Sequence, residues 1–282
     1  MKKHLLSISS KSGSVYVFFL LVFLFSIPFW VAGPTVERFL PAEVSANLPF
    51  SALMACAPII AAMLLVRREQ GAGAARALLK RAFDYKRIKR TAWYVPVFFL
   101  FPAMMLLQYG LLRLMGLEIG NPQIPVLMVP VSFVVFFIAA LGEEVGWQGY
   151  AIGRLQARWN ALTASIVLGI VWTLWHVIPF VQMGRTPTWI LWHGLGMVMA
   201  RILYVWIYNN TGKSVFAVIL FHAMHNVSTV LLPSYGWPYE PFVIFCILAG
   251  IVAVVGFLWG PRTLGHYRFA RSGREAPPIA AS

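Results

Sequence analysis

Long stretches of apolar residues without a single charge recur along the whole chain, and they restrict its fold more than any other feature. Residues 119–142, for example, contain no Lys, Arg, Asp or Glu. A helix needs about 20 apolar residues to cross the hydrocarbon core of a bilayer. Only 11% of the residues are charged and the mean hydropathy is +0.74, too apolar for the surface of a water-soluble domain. We therefore predict an all-α fold, a polytopic helical bundle in the membrane.

Eight segments are predicted to cross the membrane, and the charges between them predict their orientation. With a cytoplasmic N-terminus, the inner segments carry 19 of the Lys and Arg residues, whereas the outer loops carry only Arg38, Arg113 and Arg185. Positive charge accumulates on the cytoplasmic side of membrane proteins, so both termini are expected in the cytoplasm. The predicted spans are 15–32, 48–66, 93–112, 124–142, 161–183, 188–208, 214–232 and 241–259.

The same charge distribution bears on partners and localisation. It accounts for the net charge of +14 better than nucleic-acid binding does, so we expect the bilayer as a partner and no nucleic acid. The N-terminal charges followed by the apolar run 15–32 have the order of a signal peptide. This run is longer than a usual signal core, so a retained first helix is expected. The predicted location is the plasma (cytoplasmic) membrane.

The chain is expected to form one membrane domain, residues 1–262, followed by a disordered basic tail, residues 263–282. The long polar connection at 67–92 is interpreted either as a solvated basic loop or as an amphipathic helix on an anionic membrane surface. Cys56 and Cys246 fall inside apolar runs and are expected to be small buried residues, because no disulfide or metal-binding spacing is present.

A short set of polar residues is predicted to lie at membrane depth. A charge at the centre of a span costs about 2.5–3.5 kcal/mol on insertion scales, so a function is the first hypothesis for such residues. Structural contacts between helices, worth about 0.6 kcal/mol on average, can explain one or two of them. The set comprises Glu143, Glu144, His176, His193, Arg201, His222, His225 and Asn226.

Spacing narrows this set. His222 and Asn226 are four residues apart and share one helical face, as do Trp172 and His176. Glu143 and its neighbour Glu144 project about 100° apart, so only one can point squarely into a given site. Glu144 is predicted to be the glutamate that does not point into the site. It lies one turn from Gln148 and could contact that side chain.

A carboxylate, two imidazoles and an amide on three spans suit hydrolysis. A glutamate can take a proton from water, and an imidazole can hold that water or protonate a leaving amine. The second imidazole and the amide can donate hydrogen bonds to an oxyanion. Neutral histidines and a carboxylate are also zinc ligands, so Glu143, His176 and His222 could hold Zn²⁺ instead. The H-E-x-x-H motif is absent, since Val177 and Ile178 follow His176.

Three motifs resemble those of the CAAX-protease and bacteriocin-processing (CPBP, or Abi) family of intramembrane proteases. That family carries E-E-x-x-x-R, F-x-x-x-H and H-x-x-x-N on successive helices, and this chain has "EEVGWQ", "WTLWH" and "HAMHN" in the same order. The match covers roughly residues 124–230. The resemblance implies an endopeptidase for membrane-associated substrates, either prenylated CAAX-like proteins or secreted peptides.

The resemblance also implies roles for individual residues. Glu143 and His176 would activate water, and His222 and Asn226 would stabilise the oxyanion. Glu144 would be a supporting residue, together with Gln148 and Trp172.

Two positions depart from the family pattern. Trp172 stands in place of Phe and keeps an apolar ring. Gln148 stands in place of Arg and removes a fixed cation that could orient a glutamate; Arg201 is a candidate to supply that charge. A metal-free, glutamate-type site is favoured over Zn²⁺, because an Asn is a poor zinc ligand and an apt oxyanion donor.

Two further histidines at membrane depth are predicted to have structural roles. His225 is expected to pack beside the site, and His193 to hydrogen-bond across helices.

A non-catalytic scaffold that binds membrane peptides is one alternative function, and a proton-coupled transporter is another. For the site to assemble, the helix carrying Glu143 must continue through residues 145–155, and we expect the pocket to open to the cytoplasm.

Overall fold

The computed structural model describes residues 2–39, 50–124, 126–265 and 267–269. Within these residues every regular element is helical, and eight spans are long and apolar enough to cross a membrane. The protein is therefore a polytopic helical bundle, as predicted. The α-helices are α1 Lys2–Val36, α2 Ala57–Gln70, α3 Ala72–Lys80, α4 Tyr94–Leu114, α5 Met128–Gly146, α6 Ile152–Gln156, α7 Ala161–Gln182, α8 Pro187–Asn210, α9 Val215–Asn226 and α10 Pro241–Trp259.

Two of the spans contain a change of helix type. The fourth span runs from Met128 to Gln156 and consists of α5, a π-helical turn at Trp147–Ala151, and α6. The seventh span continues from α9 through a second π turn, Val227–Leu231, into the 3₁₀ turn Leu232–Tyr235. The predicted end of span four at residue 142 is therefore too early, and the expected continuation through residues 145–155 is observed. Single π turns within α-helices are frequent at functional sites.

The connections rich in Lys and Arg gather at one end of the bundle, here called the basic end. Arg81 donates hydrogen bonds to the carbonyls of Gly149 (3.1 Å) and Lys213 (2.9 Å), which lie in span four and before span seven. Asp84 accepts from the Ser214 hydroxyl (2.6 Å) and from the first backbone amides of α9. A carboxylate at a helix N-terminus balances the free amides there, so this contact fixes where span seven starts.

Segment 67–92 is therefore neither a plain solvated loop nor a helix lying free on the membrane. Its helix α3 buries Ala75 and Leu78 against the protein. The Leu78 side chain lies close to Gly149 in the π turn of span four, since a Cβ built on that glycine would be 2.9 Å from it. This packing ties the basic end to the helix that carries the two glutamates.

The opposite end of the bundle is closed by different loops. The Gln123 amide donates to the Tyr235 carbonyl (2.9 Å), and the Trp237 indole N–H donates to the Gln123 carbonyl (2.8 Å). Gln182, at the end of α7, donates to the Trp30 carbonyl of α1 (2.6 Å). The loops after spans three, five and seven thus lie at the same end.

Spans six and seven are the most buried, so the bundle is built around α8 and α9. The first span closes one side through aromatic contacts, with the Phe18 ring 5.4 Å from Trp147 and 5.1 Å from Tyr150. The Trp175 indole also donates to the Ser26 hydroxyl of α1 (2.7 Å).

Two expectations about the chain need correction. Leu264 is buried, and the Thr263 and Leu264 carbonyls accept hydrogen bonds from Asn209 and Asn210 (both 2.7 Å). We therefore propose that the domain extends past residue 262 to at least 265; residues 270–282 of the predicted tail lie outside the described residues. Cys246 is exposed on the outer face of the bundle and not buried, because α10 is an edge helix.

Candidate active site

Glu143 is buried on α5 and is held by an indole from α7. Trp172 Nε1 donates to Glu143 Oε2 at 2.8 Å, and only 6% of Glu143 is exposed. A phenylalanine at position 172, the residue that the resemblance implies, has no N–H to donate. The exchange of Phe for Trp thus adds a hydrogen bond, which its description as an apolar ring did not anticipate.

Glu144 points to a different place and is fully buried in an ion pair. Arg201 Nη1 lies 3.0 Å from Glu144 Oε1 and 2.9 Å from Oε2, and both side chains have no exposed surface. His222 Nδ1 lies 2.9 Å from Glu144 Oε1. A carboxylate oxygen paired with a guanidinium accepts hydrogen bonds, so Nδ1 is the donor, and the other ring nitrogen of His222 is left for the cavity.

Arg201 also contacts the aromatic ring that holds Glu143. Its guanidinium carbon lies 4.1 Å from the Trp172 ring centroid and 4.7 Å from that of Tyr204. Room for it comes from Gly169, where an added Cβ would lie 3.2 Å from the Arg201 Cβ. The Arg201 guanidinium therefore neutralises Glu144 and packs on the Trp172 ring, whose N–H binds Glu143. In this way one buried cation helps to fix the positions of both glutamates. Arg201 supplies the charge that is missing at position 148.

Gln148 does not form a hydrogen bond to Glu144. Its side chain is completely buried, and within the described part of the chain neither amide atom has a hydrogen-bond partner. The π turn begins at Trp147, immediately before Gln148, and this changes the direction in which residue 148 projects relative to an α-helix.

The other two predicted site residues line the same cavity as Glu143. His176 Nδ1 donates to the Trp172 carbonyl (2.8 Å), so its second nitrogen is available to a ligand. Asn226 lies one turn beyond His222, just before the π turn of span seven. The cavity has a volume of about 520 Å³ and is lined by Glu143, His176, His222 and Asn226 among others. Spans four, five and seven thus bring the predicted groups together.

The cavity lies toward the end of the bundle opposite the basic end. Its lining includes Met183 and Arg185, between α7 and α8, Ser234 in the last turn of span seven, and Tyr239, between spans seven and eight. We call this the mouth end. Two predictions therefore conflict: if the basic end with both termini is cytoplasmic, the cavity cannot open to the cytoplasm. The reason is that the site lies beyond the middle of span five, in the half away from the basic end.

His193 and His225, the other two histidines predicted at membrane depth, have separate partners. His225 is buried, lies 2.8 Å from the Tyr204 hydroxyl and stacks on Phe101 at 4.1 Å, as expected of a packing residue. His193 Nδ1 lies 2.6 Å from the hydroxyl of Tyr239, a contact between span six and the loop before α10. His193 also lines the cavity, which its sequence context did not reveal.

Three buried side chains of the site carry atoms of the kind that bind metal ions. Ligand atoms of Glu143, Glu144 and His222 lie within 4.8 Å of one another, a different set from the predicted Glu143, His176 and His222. Both Glu144 oxygens, however, already accept hydrogen bonds from Arg201, and one of them also accepts from His222. A zinc ion bound to this carboxylate would lie beside the fixed positive charge of Arg201. The residues therefore do not fit a zinc site built on Glu144.

The helix with the glutamates packs against span two, Phe50–Gln70, through two glycines, and this predicts the effect of replacing them by alanine. A Cβ on Gly142 would lie 2.5 Å from the Ala55 carbonyl oxygen, and one on Gly146 would lie 2.6 Å from that of Pro58. We expect Gly142→Ala and Gly146→Ala each to destabilise the protein by about 1–3 kcal/mol, as overpacking does. Thermal unfolding in detergent measures this.

The matched control for these variants is Gly110→Ala in α4, where an added Cβ meets no atom within 4 Å. It should not lower stability, because Ala is the better helix former. Equal melting temperatures for all three variants and the wild type would show that α5 and span two are not packed this closely.

Two comparisons with known proteins identify the family of this chain. Residues 125–228 match the family described as Type II CAAX prenyl endopeptidase Rce1-like. The protein named CAAX prenyl protease 2 from Methanococcus maripaludis is 30% identical over 190 residues, which cover 62% of this chain and 69% of that protein. These similarities do not favour a transporter or a non-catalytic scaffold. With eight apolar spans and the buried glutamates and histidines, the chain belongs to the Rce1-like CAAX protease family and is an intramembrane endopeptidase.

Proposed function

We propose that Glu143 and His176 activate the water that hydrolyses the peptide bond, and that His222 and Asn226 stabilise the oxyanion. The observation that supports this most is that the two glutamates have different surroundings. Glu144 is occupied by Arg201 and His222, whereas Glu143 has one protein hydrogen bond and lines the cavity beside His176 and Asn226.

In this mechanism Glu143 takes a proton from water while the oxygen attacks the peptide carbonyl carbon. The negative charge that forms on the carbonyl oxygen is met by the Asn226 amide and by the free nitrogen of His222. His222 can donate from both ring nitrogens only as the imidazolium, with its Nδ1–H held by Glu144; because Arg201 already compensates Glu144, this second positive charge is offset by Glu143 and then by the oxyanion. When the tetrahedral intermediate collapses, the C–N bond breaks and the leaving amine takes the proton that Glu143 received from water, directly or relayed through the second nitrogen of His176.

We propose that this chemistry is metal-free. The ion pair between Arg201 and Glu144 supports this, because it fills the acceptor positions of one carboxylate and leaves Asn226 suited to donating a hydrogen bond. Activity that is unchanged by a zinc chelator would agree with this proposal. Activity that the chelator removes and Zn²⁺ restores would contradict it.

The experiment that tests the function is cleavage of a synthetic peptide library by the purified protein in lipid nanodiscs, read by mass spectrometry. Products from the wild type that are absent with Glu143→Gln would support the assigned role. Products of equal amount from both proteins would remove Glu143 from the mechanism.

We also propose that the protein resides in the cytoplasmic membrane with its basic end inside. The split of 19 inner to 3 outer cations supports this orientation. The mouth end would then face the outside. An active site that faces the cytoplasm, the expectation from sequence, requires the inverted orientation with the basic end outside.

Cysteine accessibility in intact cells distinguishes the two orientations. In a variant without Cys56 and Cys246, Met183→Cys at the mouth end should react with a membrane-impermeant maleimide. Lys86→Cys at the basic end, which is equally open to solvent, should react only after permeabilisation. The reverse pattern would place the active site on the cytoplasmic side.

Orientation also bears on the substrate. A cavity that opens to the outside favours a secreted or membrane-anchored peptide over a prenylated protein of the cytoplasm. The M. maripaludis relative is named for prenyl substrates, so a prenylated CAAX-like substrate remains the second candidate, and it would accompany the inverted orientation. We propose no nucleic-acid partner.

A further inference from the structure

We propose that Arg185, at the mouth of the cavity, binds a carboxylate of the peptide substrate. This inference rests on the proposed function, because it assigns a specificity residue to the same cavity. Arg185 lies in the short connection between α7 and α8 and is exposed. It is the only Lys or Arg among the described residues that line the cavity.

The guanidinium of Arg185 is held in place without being neutralised. Its central carbon lies 4.8 Å from the Trp189 ring centroid, a cation–π contact that fixes the side chain and leaves its N–H groups available. Within the described residues no carboxylate lies within ion-pair distance of it, whereas Arg81, Arg87, Arg154 and Arg201 each have an acidic partner. A planar guanidinium of this kind binds carboxylates with two parallel hydrogen bonds.

A line of aromatic rings leads from Arg185 to the catalytic residues. The Trp189 ring lies 5.4 Å from Phe180, and Phe180 stacks on His176 at 5.7 Å. These steps place the guanidinium within roughly 16 Å of the His176 imidazole, and an extended peptide advances about 3.3–3.6 Å per residue. The carboxylate would therefore belong to a residue at most about five positions from the cleaved bond.

The wall beside this line carries a neutral polar pair. His193 stacks on Trp189 at 4.4 Å and lies 2.6 Å from the Tyr239 hydroxyl. Burial raises the pKa of the Tyr239 phenol well above its usual range, so the hydroxyl keeps its proton at neutral pH. This pair offers hydrogen bonds to a peptide backbone and adds no negative charge that would compete for Arg185.

Two peptide libraries, one ending in a free acid and one in an amide, test the proposal. With wild type, kcat/KM for the preferred sequence should fall about tenfold or more when the carboxylate is lost, mainly through KM. In Arg185→Gln the ratio of kcat/KM for the free-acid peptide to kcat/KM for the amide peptide should fall toward one. Replacing internal Asp and Glu by Asn and Gln in the same peptides shows whether the carboxylate is terminal or in a side chain; either source supports the proposal.

Arg113→Gln is the matched control. Arg113 is also at the mouth end and also lies over an aromatic ring, with its guanidinium carbon 5.7 Å from the Tyr109 centroid, but it does not line the cavity. This variant should keep the wild-type ratio. An unchanged ratio in Arg185→Gln would overturn the proposal. So would a variant whose only change is a lost response to anionic lipid, since Arg185 would then bind phosphate headgroups.

Binding of the acid and amide peptides to the Glu143→Gln protein gives the same comparison without turnover. It separates the two proposals. If the acid peptide binds more tightly than the amide but the wild type cleaves neither, the carboxylate site is supported and the proposed mechanism is contradicted. If the wild type cleaves peptides but acid and amide forms bind equally, the mechanism is supported and the carboxylate site is contradicted.

Discussion

Glu143→Gln is expected to lower peptide cleavage by about 10²–10⁴-fold, the contribution typical of a general base. The amide has nearly the same shape as the carboxylate and can still accept the hydrogen bond from Trp172 Nε1. It cannot take a proton from water at neutral pH. The loss should therefore appear in kcat, measured with the best peptide from the library, while the melting temperature stays close to that of wild type.

Glu69→Gln is the control of identical chemistry away from the site. Glu69 pairs with Arg154 at 2.7 Å and accepts from the Tyr150 hydroxyl near the basic end, outside the cavity. It should keep its turnover. If Glu143→Gln retained more than about a tenth of wild-type kcat, the proton would have to go to another group.

Arg201→Met is expected to destabilise the protein by about 3–5 kcal/mol and to abolish cleavage. Removing one partner of a buried ion pair leaves the other charge buried without compensation, and that cost exceeds the net stabilisation by the pair itself. Here the abandoned group would be Glu144, which has no exposed surface. His222 and the ring of Trp172 would lose support at the same time. Thermal and denaturant unfolding in detergent measure the first effect.

A double substitution separates charge burial from shape. Arg201→Met with Glu144→Gln removes both charges of the buried ion pair, so it should recover most of the lost stability. Cleavage should stay low, because the amide is a weaker acceptor for His222 Nδ1 than the carboxylate and no longer fixes that imidazole. Equal stability of Arg201→Met and the wild type would mean that the ion pair is not formed in the protein.

A third variant asks whether position 148 can hold the cation. Gln148→Arg added to Arg201→Met restores the E-E-x-x-x-R order that the resemblance implies. Gln148 is fully buried and its amide atoms have no partner within the described residues, so a charge there needs Glu144 to turn toward it. Recovered cleavage would show that the two positions can substitute for each other.

Much of the site could be predicted because few reasons exist to bury polar groups in a membrane. Glu143, His176, His222 and Asn226 were identified from depth and spacing, and all four line one cavity. For Glu144, Arg201 was only a candidate partner from sequence, since it lies 57 residues away, and the contact with His222 was not predicted. Trp172 could be interpreted only as an apolar ring, because its N–H contact depends on how α7 is rotated against α5.

The sequence by itself determined that the chain spans the membrane eight times, which residues are too polar for lipid, and which end is basic. These properties depend on composition and on helical periodicity, and both are local. Only the tertiary structure decided which glutamate faces the cavity, that the buried cation comes from span six, and that the cavity lies away from the basic end. Each of these depends on the rotation and depth of one helix relative to another. Close contacts such as Gly142 against the Ala55 carbonyl set that rotation, and no periodicity within a single span records them.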